Sequence, residues 1–471
     1  MTESPEPTVR SSAKLSGRFD AALVSDADFP VILGSSGVDT RASISAMAEH
    51  FDAELMLRDC RPGQVVGIAV PNGAGFLAAA LAIWRRSGVA LLIDSDTPAE
   101  RCRDIASGFG AVAVVRCGAT GTPVFERVDP TTGAAHEGAA VIKLTSGTTG
   151  APRGILLSPQ AVLADSKAIE SAMGIGASDR VAACVPMSFS YGFGSLVVPA
   201  LLFRRQLVAP DPGRPLGSMT AARRLEASVL PTVPMFLSTL LKRDADWQLP
   251  PSIRLVVSAG APLPPEVARR FRSRFGQPIH VFYGASECGG ITYDRSGDAA
   301  ERGTVGTPVP GVEIEIEPST GVLEVRSPAV ARCYLPADPG LSGGKYRTAD
   351  LASWEGDEIR LLGRRGSLIN VGGHKVDPRE VESVITRLRG VDAVVVIPIE
   401  TDLRHALCCA VIGSREVTRN EVHEWCRDHL PAFKCPKRIT IVPELPRNAR
   451  GKFAAEAIRE LAVSGEDSNP S

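Results

Sequence analysis

The chain has 471 residues, with 52 Lys and Arg against 53 Asp and Glu and a formal net charge of −1. This balance argues against a protein whose main partner is a polyanion such as nucleic acid. A content of 44% hydrophobic and 22% charged residues rules out general disorder, and the length predicts two or three domains. In chain order, residues 1–14 are polar, lack the apolar stretch of a leader peptide, and read as a disordered tail. From Gln64 strands and helices alternate: 64–70 (QVVGIAV) reads as a strand, 74–86 as an Ala-rich helix, and VALLID as the next strand. Thr97-Pro98-Ala99-Glu100 predicts a helix start, with Thr97 as N-cap, Pro98 in the first turn and Glu100 closing a capping box. AVAVV, VAACV, ASVL, RLVVS and IHVFY continue the rhythm, which implies parallel sheets with helices on their faces. The uncharged run 181–203 is long enough to span a bilayer, but Pro186, Gly192, Gly194 and Pro199 interrupt it. A strand, a loop and a buried helix are expected there instead.

Around Leu361 the pattern changes. Asp377-Pro378-Arg379-Glu380 predicts a helix start, and Val381, Val384, Ile385 and Leu388 fall on one helical face. Two strand-like runs follow (DAVVVIPIE and HALCCAVIG), then a helix capped by Thr418 with Glu421 in the box position, and a last strand, RITIV. The expected fold class is therefore α/β. A large N-terminal domain of layered, mostly parallel sheets with helices spans 15–363, and a small mobile α+β domain spans 364–462. The boundary falls at GRRG (363–366), and 463–471 reads as a second disordered tail. The ten cysteines are scattered without a C-x-x-C pair, so neither zinc nor a disulfide framework is indicated. The expectation is a cytoplasmic protein without a transmembrane segment.

The most informative stretch is 143–154, KLTSGTTGAPRG: three glycines, four hydroxyl side chains and Arg153 after an apolar strand. Glycines let backbone N–H groups approach an anion, hydroxyls add donors, and the arginine adds charge, which is phosphate-cradle chemistry. It is not a Walker A loop, because G-x-x-x-x-G-K-[ST] has no match and a short strand, ILL, precedes the helix at Ser158-Pro159. A plain Gly/Ser/Thr surface loop has the same composition, so further motifs must decide.

They occur in order. TSGTTGAPRG resembles the signature loop of the adenylate-forming superfamily, which includes acyl-CoA synthetases, aryl-acid ligases, peptide-synthetase adenylation domains and beetle luciferases. Tyr283-Gly284-Ala285-Ser286-Glu287 resembles its Y-G-x-T-E segment, and Gly303-Thr304-Val305-Gly306 its glycine-containing spacer. Tyr346-Arg347-Thr348-Ala349-Asp350 is similar to Y-x-T-G-D, with one alanine for glycine. Gly363-Arg364 and then Asn370-Val371-Gly372-Gly373 resemble the hinge and glycine hairpin, and Asn448-Ala449-Arg450-Gly451-Lys452 the loop that carries a catalytic lysine. The resemblance covers about residues 60–460.

The resemblance implies ATP-dependent activation of a carboxylic acid to an acyl-adenylate with release of pyrophosphate. Transfer to CoA then gives a thioester and AMP. Joining two anions requires positive charge and fixed geometry. By resemblance, Thr145, Ser146, Gly147, Thr148, Thr149, Gly150 and Arg153 hold the phosphates, and Glu287 binds Mg²⁺. Ser286 donates to the α-phosphate. Tyr283 and Gly284 offer a face to adenine against the backbone of Gly260, Ala261 and Pro262, while Asp350 and Arg364 hold the ribose. Lys452 is delivered between carboxylate and α-phosphate. Gly366, Gly372, Gly373 and Lys375 belong to the hinge and thioester half-reaction, in which the small domain rotates. The acyl pocket draws on Phe189, Tyr191, Gly192, Ser258, Ala259, Cys288 and Gly289. These small, aromatic or apolar residues suit an apolar or aromatic acid.

Four departures from the family pattern stand out: Arg153 for the usual lysine, Ala349 for glycine, Asn370 where many members have lysine, and Val281 at an often polar position. None removes an essential charge. Ser190 stands about where amino-acid-activating members place an aspartate for the substrate ammonium, which argues against an α-amino acid. Two alternatives remain open. One is an acyl-AMP ligase that loads a carrier-protein phosphopantetheine or an amine in trans; the other is a silent nucleotide-binding protein. A monomer or homodimer is expected.

Overall fold

Runs of β-branched residues that are buried on both faces build the two main sheets, since a strand covered by helices has no polar face to show. The computed structural model describes residues 13–464, except 36, 59, 119–122, 132–134, 146–151, 211–215, 338–339, 365–368, 372–373, 377, 401–405 and 448–452. The chain divides into two compact units. The larger runs to Ile316 and also takes Glu324–Thr348 and Trp354–Arg360; the smaller comprises Glu317–Leu323, Ala349–Ser353 and the chain from Leu361.

In the larger unit a nine-stranded sheet has six parallel strands in the spatial order Pro30–Gly34, Gln206–Val208, Arg180–Ala182, Val229–Thr232, Leu255–Ser258, His280–Ala285. Gly289–Tyr293 returns antiparallel beside His280–Ala285. A seven-stranded sheet has a parallel centre formed by Val141–Thr145, Val89–Leu92, Val65–Ala69 and Ala111–Cys117. Arg153–Leu157 pairs antiparallel with Val141–Thr145. The helix Ala74–Arg85 is buried at every position from Phe76 to Trp84, as a helix apolar all round must be. Its Trp84 meets Phe193 edge-on at 6.3 Å and donates its indole N–H to Ala140 O at 3.1 Å. Phe193 opens a short π-helix, Phe193–Val197, inside the segment expected to be a buried helix. The helix Pro159–Met173 starts at Ser158, whose hydroxyl accepts from Ala161 N–H.

In the smaller unit Ala393–Glu400 pairs antiparallel with Ala406–Gly413, which runs parallel to Arg438–Val442. Alternation splits the central strand's side chains between two faces. Cys408, Ala410 and Ile412 pack with Val381, Val384, Val422 and Cys426, whereas Cys409 and Val411 pack with Ile458 and Ala462. Thr418 and Glu421 form the reciprocal capping box at Arg419–His429.

Three local expectations are corrected. Thr97 is not an N-cap: its N–H turns back to Asp94 O at 3.0 Å, and Pro98 takes the cap position without a side-chain cap bond. The segment read as a tail to residue 14 already contains the start of the helix Ala13–Ser25, which is held by fully buried Leu15 and Phe19. At the other end the helix Ala455–Ser464 runs two residues past 462. Asp377 lies outside the described residues. All ten cysteines are free, and burial pushes the Cys408 and Cys426 thiols up to about 12.

Candidate active site

The carboxyl ends of neighbouring parallel strands are where open α/β sheets bind ligands, and the candidate residues of the larger unit gather there. Val141–Thr145 and Arg153–Leu157 form a hairpin in register from Val141↔Leu157 to Thr145↔Arg153. Thr145 Oγ1 donates to Arg153 O at 3.5 Å, closing the base of the candidate phosphate loop. Glycine is required at 154, where a Cβ would stand 2.5 Å from the Phe109 ring. Ser146, Gly147, Thr148, Thr149 and Gly150 lie outside the described residues.

After His280–Ala285 the chain turns through Ser286, Glu287 and Cys288 into Gly289–Tyr293. Close approach fixes the turn, because a Cβ on Gly284 would sit 2.5 Å from Gly289 O. Tyr334 Oη donates to Glu287 Oε1 at 3.1 Å, and Tyr346 hydrogen-bonds Tyr334 in turn. The Arg153 guanidinium lies 4.0 Å from the Tyr334 ring centroid, a cation–π contact between the loop's cation and the carboxylate's partner. Burial, reinforced by the Glu287 charge, pushes both phenols well above their ordinary range, so both remain donors at neutral pH. Among the described residues no group of three or more His, Cys, Asp or Glu could hold a metal on its own. The chain offers the single carboxylate of Glu287. This fits Mg²⁺, which binds through one or two carboxylates and completes its shell with phosphate oxygens and water.

Candidate acyl-side residues follow Arg180–Ala182. Asn72 fastens this loop, donating to Ala183 O at 3.0 Å and Val185 O at 2.7 Å and accepting from Met187 N–H at 2.7 Å. Phe189 then caps the short helix Ser190–Gly192, and Gly192 allows the chain to pass Pro186 O, which a Cβ would overlap at 2.0 Å. Ser190 Oγ donates to Ser286 Oγ at 2.6 Å, bringing the acyl-side helix against the candidate catalytic turn. Tyr191 packs on Phe282 with ring centroids 5.8 Å apart. Its buried hydroxyl and that of Ser258 have no hydrogen-bond partner among the described residues. Burial drives the Tyr191 phenol far above its usual range. Ala259 is buried beside Ser258, whereas Gly260, Ala261 and Pro262 are exposed at the strand's carboxyl end and Tyr283 is half-buried. Cys288 is fully buried, and burial, with Glu287 and Asp165 nearby, raises its thiol well above the ordinary value.

Beneath the turn lies a charged pair. Lys143, on Val141–Thr145, and Asp165, on Pro159–Met173, are 3% and 6% exposed, with Nζ 4.0 Å from Oδ2. Burial lowers the Lys143 pKa, and the Asp165 carboxylate opposes that shift. In the smaller unit Arg364 Nε contacts Asp350 Oδ1 at 2.8 Å; Asp350 is buried and the arginine side chain is 62% exposed. Gly366, Gly372, Gly373 and Lys452 lie outside the described residues, and of Lys375 only its place on the strand His374–Val376 is described.

A family model for AMP-binding enzymes matches residues 28–335, and one for the AMP-binding enzyme C-terminal domain matches 380–452. The chain belongs to the AMP-binding enzyme family. An anthranilate–CoA ligase of Pseudomonas aeruginosa is 31% identical over 368 residues, covering 72% of this chain and 68% of that protein. A 2-succinylbenzoate–CoA ligase of Bacillus cereus is 25% identical over 428 residues, covering 85% and 88%. The o-succinylbenzoate CoA synthetase of Bacillus subtilis, solved with its acyl-adenylate intermediate, shares the fold with a TM-score of 0.82 at 21% identity, over 94% of this chain and 97% of that one. Among the described residues of this AMP-binding enzyme no helix is long and apolar enough to cross a membrane.

Sequence reasoning singled out Glu287, Ser286 and Arg153 but missed the residues that connect them. Tyr334 lies 47 positions beyond Glu287 in a segment without a motif. Asn72 is a lone amide before a helix. Lys143 did carry a signal, as a charged residue inside the apolar strand VIKLT, because a lysine in a buried strand needs a reason.

Proposed function

We propose that this AMP-binding enzyme activates a carboxylic acid with an apolar or aromatic acyl group and passes it to CoA. A carboxylate oxygen attacks the α-phosphorus of ATP, the bond to the β-phosphate oxygen breaks, and pyrophosphate leaves. The CoA thiol, losing its proton, then attacks the acyl carbon and AMP departs.

The observation that carries the reading is the run Tyr346–Tyr334–Glu287 with Arg153 stacked on Tyr334. It holds an acceptor carboxylate and the Arg153 cation in fixed relation beside the candidate phosphate loop. Preorganised charge of this kind lowers the barrier for a reaction between two anions. Thr145 through Gly150 and Arg153 would hold the β- and γ-phosphates, and Glu287 would hold Mg²⁺, which supplies charge neutralisation between phosphate oxygens. Ser286, whose oxygen accepts from Ser190, keeps its own O–H free to donate to an α-phosphate oxygen. Tyr283 and Gly284, with Gly260, Ala261 and Pro262, would line adenine; Asp350 would accept from the ribose hydroxyls, with Arg364 holding its carboxylate. Lys452 would neutralise charge between carboxylate and α-phosphate. Gly366, Gly372, Gly373 and Lys375 would serve the thioester step after a domain rotation, in a chain acting in the cytoplasm as a monomer or homodimer.

ATP–pyrophosphate exchange across a panel of acids, followed by thioester formation with CoA, tests the reading. Exchange with at least one acid and its collapse in Lys452→Ala are expected, with the fold and ATP binding retained. Near-normal exchange by that variant would sink the lysine's role. Exchange without CoA turnover would redirect the second step to a carrier-protein pantetheine or an amine.

A further inference from the structure

The geometry points to the buried pair Lys143–Asp165 as a reader of the acid's distal end: it selects an acid whose acyl group carries a hydroxyl or primary amino substituent. This deepens the proposed function and rests on it.

The placement comes first. The acyl-side helix and the catalytic turn touch where Ser190 Oγ meets Ser286 Oγ at 2.6 Å. Four residues beyond Ser190, about one turn along its helix, stands Gly194, and beyond Ser286 the chain turns into the strand that begins with Gly289 and Gly290. A Cβ on Gly289 would lie 2.2 Å from Asp165 Oδ1, and one on Gly194 would lie 3.0 Å from Asp165 Oδ2. Both elements therefore bring bare backbone to Asp165, so the helix and the turn that meet at Ser190 and Ser286 also meet at the ion pair.

The pair is also incompletely bonded. Asp165 Oδ1 accepts from Gly290 N–H at 2.9 Å. Oδ2 faces Lys143 Nζ at 4.0 Å, beyond hydrogen-bond reach. The lysine's other neighbours are the Phe193 ring, whose centroid is 6.0 Å away, and the Cys288 and Glu287 side chains. A buried amine held outside hydrogen-bond reach of its counter-ion is costly unless other groups satisfy it. A donor-only residue beside an acceptor-only carboxylate, held just too far apart to bond, matches a group that accepts from one and donates to the other. Hydroxyl and primary amine do both; a methyl or halogen does neither, and a second carboxylate would be repelled by Asp165. The arrangement works whether or not Lys143 is protonated, because the neutral amine still donates.

The test uses the full chain with benzoates bearing hydroxyl, amino, methyl, chloro or carboxyl groups at each ring position, and hexanoate with and without a terminal hydroxyl. Pyrophosphate release gives kcat/KM, and calorimetric titration gives binding separately. The wild type is expected to favour one hydroxy or amino acid over its methyl counterpart by about a hundredfold, since a site built for a hydrogen-bonding group rejects the analogue that leaves it unpaired. The double variant Lys143→Met, Asp165→Asn removes both charges together and keeps an acceptor for Gly290. In it the preference is expected to fall to within about threefold of unity, because the hydroxy or amino acid loses far more than its methyl counterpart. A purely structural pair would lower all acids alike and leave the ratio unchanged, which overturns the inference. Should the double variant melt too low to assay, a wild-type preference for methyl, chloro or carboxyl acids at every position overturns it equally. Discriminating binding without pyrophosphate release would instead count against adenylation and leave this inference standing; release with all acids alike would do the reverse.

Discussion

Tyr334 Oη stands 3.1 Å from Glu287 Oε1, and the same ring carries the Arg153 guanidinium on its face at 4.0 Å. One aromatic side chain thus couples the carboxylate of the candidate catalytic turn to the cation that flanks the candidate phosphate loop. Tyr334→Phe keeps the ring and the cation–π contact but removes the donor. Losing a hydrogen bond to a charged group costs about 1.5–3 kcal/mol, so kcat/KM for ATP should fall roughly ten- to hundredfold. Thermal stability should stay close to wild type. Pyrophosphate exchange measured against Mg²⁺ concentration checks this, and the variant should need more Mg²⁺ for half-maximal rate.

The Ser190–Ser286 contact separates two hydroxyl roles. Ser190 donates and Ser286 accepts at 2.6 Å, so Ser286 is oriented with its own hydrogen pointing elsewhere. Ser286→Ala removes a donor to developing charge and should lower kcat about a hundredfold. Ser190→Ala leaves the donor in place but loosens it; a fall of about threefold to tenfold, the size of one neutral hydrogen bond, is expected. Equal losses in the two single variants would contradict this assignment. Single-turnover adenylate formation reads the difference without interference from product release.

At the end of the sheet away from the candidate site, Asp179 clamps the starts of three parallel strands. Its carboxylate takes Arg254 at 2.6 Å, Ser228 Oγ at 2.7 Å and Gly176 N–H at 2.7 Å. Burial alone would raise its pKa, but these hydrogen bonds and the arginine charge outweigh burial and hold it down at about 2, against an ordinary 3.8. A carboxylate depressed in the folded state stabilises above its unfolded value and loses that contribution as pH falls through the folded one. Asp179→Asn should therefore destabilise by about 1–2 kcal/mol at pH 7, allowing for solvent screening. The gap to wild type should narrow from about pH 4 and close towards pH 2. Urea unfolding at a series of pH values checks both size and sign, and a gap that stays constant with pH would leave Asp179 without its electrostatic role.

What the sequence made legible was the layout along the chain. Strand–helix alternation, Thr418 with Glu421, and Ser158 at its helix start are all local, and each reads correctly from spacing of a few residues. The connections across the site were not legible. Tyr334 reaches Glu287 only because Cys333–Leu335 pairs with Arg153–Leu157 at the sheet edge, and Lys143 on a strand meets Asp165 on a helix only through the tertiary fold. Thr97 failed as a cap for a related reason: propensity favours threonine there, but the turn from Asp94 claims its N–H first. Local chemistry writes itself into short patterns, whereas partners distant in sequence are chosen by the fold.

The proposed ribose contacts offer a last contrast. Asp350 is buried and its partner Arg364 is largely exposed, with Nε 2.8 Å from Oδ1. A carboxylate that is to accept from ribose hydroxyls needs its oxygens held in place, and the guanidinium approaching from solvent contributes to this. Asp350→Asn replaces one acceptor oxygen by an N–H donor, so it can no longer accept from both ribose hydroxyls. The KM for ATP should rise by about tenfold to a hundredfold, the weight of one charged hydrogen bond, with a smaller change in kcat. Arg364→Lys keeps the charge but loses the planar fork, and its effect should be less than about tenfold because the largely exposed guanidinium is solvent-screened. Competition by 2′-deoxy-ATP supplies the control: the wild type should discriminate against it and Asp350→Asn should not. Undiminished discrimination in that variant would mean that another residue reads the ribose.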